Sequence, residues 1–75
     1  MLDEDILRRI NTLVDEESAI RKHATVGDVE RLAHLEETLD QCWDLLRRRR
    51  ALREFGLDPD GATLRDVSTV EDYLQ

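Results

Sequence analysis

Two stretches of the 75-residue chain repeat apolar residues every three or four positions, and only a few residues separate the two stretches. Such spacing places the apolar side chains along one stripe of an α-helix, at about 100° per residue. The pattern predicts an all-α protein with one helix over about residues 4–24 and a second over about residues 28–55. The stripes are formed by Ile6, Ile10, Leu13, Ile20 and Ala24, then by Leu32, Leu35, Leu39, Cys42, Trp43 and Leu46.

Residues suited to helix ends flank both stretches. Asp3 or Asp5 can cap the first helix, where acidic side chains also complement the positive end of the helix dipole. At the start of the second helix, either Thr25 and Asp28 form a pattern resembling a capping box, or Asp28 itself is the cap. Gly56 follows the second helix and can take the left-handed conformation that ends many helices.

A connector this short makes the two helices pack antiparallel, so residues 1–56 form a helical hairpin with coiled-coil-like packing. Facing positions then have residue numbers that add to about 52. The same register sets Asp3 and Glu4 beside Arg49 and Arg50, so the end charges agree with the apolar pattern.

Composition excludes several classes of protein. No run of about 18 apolar residues exists, and no charged-then-apolar leader is present, so we expect a cytoplasmic protein without a membrane partner. The single cysteine excludes an intramolecular disulfide framework. A net charge of −7 does not favour nucleic acid or an anionic membrane as the partner.

The apolar stripe of the first helix is wider than one helix–helix contact requires. It spans about 140°, from Ile20 to Leu7, whereas a two-helix seam needs about 100° or less. Two hairpins packed as a four-helix bundle would cover the excess, which predicts a homodimer, although an unidentified protein partner would serve equally well. The predicted self-association residues are Leu7, Ile10, Val14, Leu39 and Trp43.

Residues 57–75 form a C-terminal tail that opens with a turn sequence around Pro59 and Gly61. Its capping-box pattern at residues 68–71 predicts a short helix over about residues 69–74. We expect the tail either to fold back along the second helix, to cross to a partner subunit, or to dock into another protein. The docking residues are Leu45, Leu52 and Phe55 on the helix, and Val70, Tyr73 and Leu74 in the tail.

Five arginines, Arg47 to Arg50 and Arg53, end the second helix. Phosphate contact by Arg47, Arg48 and Arg49 would make the protein a small nucleic-acid- or ribosome-associated factor, which is the alternative function. However, successive helical residues point in different directions, so the run does not form one focused patch. The favoured interpretation is a helix end whose arginines pair with neighbouring acidic residues.

No pattern indicates catalysis, a cofactor or a metal site. Cys42 lies on the apolar stripe, and His34 is about 12 Å away along the same helix, so a nucleophile–base pair is not expected. Di-metal helical bundles use a Glu-x-x-His motif, and neither His23 nor His34 has a glutamate three positions before it. Glu17, within the apolar arc, is expected to pair with Arg21 or with Arg31.

Several segments resemble a known family. The most specific of them is Leu39-Asp40-Gln41-Cys42-Trp43-Asp44-Leu45-Leu46-Arg47. The others are residues 5–7, 9–10, 13–17, 49–51, 56–59, 67–68, 70–71 and 73–75. Together they are similar to the small actinobacterial proteins catalogued as domain of unknown function 2630. The resemblance implies a bacterial cytoplasmic origin and carries no activity, ligand or catalytic residue. The sequence therefore predicts a non-catalytic, self-associating interaction module whose molecular role is unknown.

Overall fold

A computed structural model describes residues 2–22, 27–66 and 70 of the chain. Helix α1 spans Asp3–Lys22, helix α2 spans Asp28–Glu54, and a 3-10 turn spans Pro59–Gly61. The two helices pack on each other, and the 3-10 turn packs on α2. The described part of the chain contains no strand, so the predicted all-α helical hairpin is confirmed.

Most residues of the predicted apolar stripes form the core of the hairpin, joined by Leu45, whereas Trp43 is 41% exposed and lies outside the core. Leu46, at 1% exposed, is the most deeply buried side chain of this cluster. Leu32 and Ala62 are partly buried against it. The cluster consists of Ile6, Ile10, Leu13, Ile20, Leu35, Leu39, Cys42, Leu45 and Leu46. Ala24, which the sequence also assigns to the stripe, lies outside the described residues.

The N-termini of the two helices are capped in different ways. At α1, the Leu2 amide donates a hydrogen bond of 3.0 Å to the Asp5 carboxylate, which is half of a capping box. At α2, Gly27 is the N-cap and already has helical backbone angles, so Asp28 is the first helical residue. The prediction that Asp28 is the cap is therefore wrong, and Thr25 lies outside the described residues.

The end of α2 follows the predicted glycine motif. Gly56 has a φ of 72°, in the left-handed region. Its amide donates to the Arg53 carbonyl at 3.1 Å, and the Leu57 amide donates to the Leu52 carbonyl at 2.8 Å. This pair of bonds is a Schellman motif, and it reverses the chain direction. Residues 57–66, which we name the strap, then run back along α2.

Neither described helix is long and apolar enough to cross a membrane.

Gly56→Ala is expected to lower the free energy of unfolding by about 1–2 kcal/mol, because a Cβ is strained at positive φ. The cost comes from the backbone alone, since an added Cβ would have no atom within 4 Å. Gly61→Ala is the matched control, because its Cβ would make an ordinary 3.8 Å contact with Leu52. Urea unfolding measures both changes, and equal effects of the two substitutions would contradict the Schellman assignment.

Candidate functional site

The two faces of the hairpin differ in how they are covered. The strap lies over one face of α2, and we call that side the strap face. The opposite side carries Leu7, Val14 and Trp43, which we call the open face. Either face could meet a ligand or a partner.

The strap face is anchored by Arg49, which is only 4% exposed. Its Nε donates to Asp3 Oδ1 at 2.8 Å, and its Nη1 donates to Asp60 Oδ1 at 2.8 Å. Arg53 Nη1 adds a bond of 2.9 Å to the second oxygen of Asp3. One guanidinium therefore joins the start of α1, the body of α2 and the 3-10 turn. The predicted contact between Asp3 and Arg49 is confirmed.

These contacts shift the ionisation of the groups that make them. Hydrogen bonds from Arg53 and Arg49 lower the pKa of Asp3 from 3.8 to about 2. The hydrogen bond from Arg49 also lowers the pKa of Asp60. In turn, hydrogen bonds to Asp60 and Asp3 raise the pKa of the Arg49 guanidinium. All three groups are thus held in their charged forms.

A second set of polar contacts holds the strap further along α2. Asp44, whose side chain is 5% exposed, pairs with Arg48 at 3.0 Å and with Arg65 at 3.5 Å. Arg48 also donates to the Thr63 carbonyl. Gln41 Nε2 donates to the Arg65 carbonyl at 3.0 Å. The i, i+4 spacing of Asp44 and Arg48 is visible in the sequence, but the strap carbonyls that complete the set are not.

The structure does not bring the three candidate phosphate-binding arginines together. Arg48 and Arg49 are engaged in ion pairs on the strap face. Arg47 is exposed, and its position on the helix directs it away from both of them. Elsewhere, the predicted pair of Glu17 and Arg21 is confirmed at 3.6 Å.

The candidate docking residues of the tail have different environments. Leu45 is 5% exposed and belongs to the core cluster, while Val70 is 1% exposed. The Val70 amide donates to the Asp66 carbonyl at 3.2 Å. Leu52 is half-buried, whereas Phe55, at the end of α2, is 81% exposed. Tyr73, Leu74 and, except for Val70, the predicted helix at about 69–74 lie outside the described residues.

A groove of about 980 Å³ runs between α1 and the strap, with α2 as its floor. Its lining includes Ile6, Arg9, His34, Cys42 and Leu64. Burial raises the pKa of the Cys42 thiol, which opposes formation of the nucleophilic thiolate, although Arg9 lies close enough to act in the other direction. Among the described residues, no group of His, Cys, Asp and Glu could hold a metal ion.

The open face presents large apolar side chains to solvent. Leu7 is 36% exposed, Val14 is 42% exposed and Trp43 is 41% exposed. The other two residues predicted for self-association, Ile10 and Leu39, are buried in the hairpin core. The five predicted residues therefore divide into a buried pair and an exposed triplet. Only the triplet is available to a partner.

Comparison with known proteins shows the family. The family model described as "Protein of unknown function (DUF2630)" matches residues 2–75, and the chain belongs to this family. Uncharacterized proteins of Mycobacterium tuberculosis and Mycobacterium bovis are 46% identical to it over 77 residues. The alignments cover 95% of this chain and 88% of each relative. No solved structure matches the chain.

Arg49→Ala is expected to destabilise the protein far more than Arg47→Ala does. The first change leaves Asp3 and Asp60 without the guanidinium that joins them, whereas Arg47 is an exposed neighbour in the same run. The free energy of unfolding of Arg47→Ala should stay within about 0.5 kcal/mol of the wild-type value. Thermal melts followed by circular dichroism measure both, and similar melting temperatures for the two variants would contradict the role of Arg49.

Asp3→Asn is expected to lower the free energy of unfolding at pH 5 and to change it little at pH 2. Because the folded-state pKa of Asp3 is about 2 and its unfolded value is 3.8, its ion pairs contribute fully above about pH 4. That contribution is lost as the pH falls towards 2. Urea unfolding at both pH values gives the difference between wild type and variant. If the difference in the free energy of unfolding between wild type and Asp3→Asn is the same at both pH values, Asp3 does not act through its charge.

Proposed function

We propose that this member of the DUF2630 family is a non-catalytic helical interaction module that self-associates through its open face. The observation that carries the proposal is the exposure of Leu7, Val14 and Trp43 at 36–42% on the side of the hairpin opposite the strap. Clustered exposed apolar side chains are typical of protein–protein contact sites. Tryptophan is also enriched among the residues that dominate binding energy at such sites.

The exposed triplet is well suited to a second copy of the chain. Two helices form a single layer, and helical domains gain a closed core when a second layer packs on the first. Ile10 and Leu39 belong to the hairpin core and lie about one helical turn from the triplet residues of their own helices, so a second hairpin would extend that core. The product is a four-helix bundle with a strap on each outer side.

The remaining chemistry of the molecule is consistent with a non-catalytic role. Cys42 is 5% exposed, and the pKa of its thiol is raised by burial. His34 lines the same groove, but it lies about 12 Å from Cys42 along α2. The proposal places the protein in the reducing cytoplasm, where a lone thiol persists.

The alternative of a nucleic-acid- or ribosome-associated factor has less support. Arg48 and Arg49 would have to leave their carboxylate partners Asp44, Asp3 and Asp60 to contact phosphate. The net charge of −7 also repels a polyanion. The ion pairs of these two arginines therefore favour the interaction module.

Sedimentation of the full chain at micromolar concentration tests the proposal, and the wild type is expected to be a dimer. Trp43→Ala should weaken dimerisation at least about tenfold while leaving helicity intact, because it removes the largest exposed side chain of the face. Phe55→Ala is the matched control, since Phe55 is 81% exposed but lies at the end of α2. A wild type that stays monomeric at high micromolar concentration would overturn the proposal.

A further inference from the structure

We infer that two copies pair antiparallel, face to face, about a two-fold axis that lies across the helices. The axis crosses α2 at the level of Trp43, and it crosses α1 at the level between Ile10 and Asn11. Each α1 then packs on the partner's α1, and each α2 on the partner's α2. This inference rests on the proposed self-association and adds its geometry.

The spacing of the exposed residues on α1 supports this axis. Leu7 and Val14 are seven residues apart, so they lie two turns apart on the same side of the helix. Their midpoint falls between Ile10 and Asn11. A two-fold axis across the helix at that midpoint sets Leu7 of each copy against Val14 of the other, so both exposed side chains are covered by one operation.

The register of the hairpin places Trp43 at the same level. Asp3 is held between Arg49 and Arg53, one turn of α2 apart, so it is level with about residue 51. Moving seven to eight residues along α1 reaches the midpoint, and the same distance back along α2 reaches residues 43–44. The axis that pairs Leu7 with Val14 therefore also brings the two Trp43 side chains together.

Charges on α2 are complementary under this operation. Glu36 and Arg50 each lie seven residues from Trp43, on opposite sides of it and on the open-face side of α2. The axis therefore sets Arg50 of one copy against Glu36 of the other. Arg50 is exposed and has no ion pair with a described residue, and Glu36 is paired with Arg21 at 2.8 Å. A guanidinium from the second copy would complete a network around Glu36.

The distribution of charge along the hairpin also favours the antiparallel pairing. In the half near the connector, residues 13–41, acidic residues clearly outnumber basic ones. In the other half of the hairpin, residues 1–12 and 42–56, the seven basic residues outnumber the five acidic ones. Parallel pairing would stack one acidic half on another, whereas antiparallel pairing sets each acidic half against the arginine-rich half of the other copy.

Disulfide trapping between two variants of the full chain tests the geometry. Both carry Cys42→Ala, one also carries Leu7→Cys and the other Val14→Cys. After mixing and oxidation, the antiparallel pairing predicts a covalent dimer that joins the two different variants. Leu7→Cys oxidised alone should form little covalent dimer, because the two sulfurs would be separated by about 10 Å along the helix.

Exchanging the charges at Glu36 and Arg50 gives a second test, which leaves the apolar residues of the open face unchanged. Glu36→Arg and Arg50→Glu should each weaken dimerisation about fivefold, and the double variant E36R/R50E should restore most of the loss. A dimer by sedimentation that shows neither the mixed disulfide nor this restoration would overturn the antiparallel geometry alone. A monomer by sedimentation would overturn the self-association on which it rests.

Discussion

The buried guanidinium of Arg49 is the interaction on which the arrangement of the described chain depends. It lies where the start of α1, the body of α2 and the 3-10 turn meet, and it donates hydrogen bonds of 2.8 Å to Asp3 and to Asp60. A buried charge is tolerated only when it is paired and hydrogen-bonded, so both carboxylates must stay in place. The contact therefore sets the register of the hairpin and the starting direction of the strap together.

The polar attachments of the strap make the two faces of the hairpin unequal. On the strap face, Gln41 and Arg48 bind backbone carbonyls of the strap, and Asp44 pairs with Arg65. On the open face, apolar side chains meet solvent. In the proposed dimer, a second hairpin would pack on the open face, where burial of apolar surface is favourable.

The arginine run shows that a high density of charge along a helix does not by itself place the charged side chains in one patch. Five arginines near one helix end suggest a phosphate site, yet the helical rotation sends neighbouring side chains to different surroundings. Arg49 is buried between carboxylates, Arg48 binds the strap, and Arg47 is exposed. Acidic residues distant in sequence decide which of these cations remain accessible.

The sequence by itself determined the helices, the core stripe, the Gly56 turn and the contact of Asp3 with Arg49. These features follow from periodicity, from backbone freedom and from a short connector, which are all local or nearly local properties. The tertiary structure decided that Arg49 is buried and that Phe55 is exposed. It also decided the path of the strap, because that path depends on hydrogen bonds to the backbone carbonyls of Thr63 and Arg65. Every residue has a backbone carbonyl, so the pattern of side chains does not tell which carbonyls a distant side chain will reach.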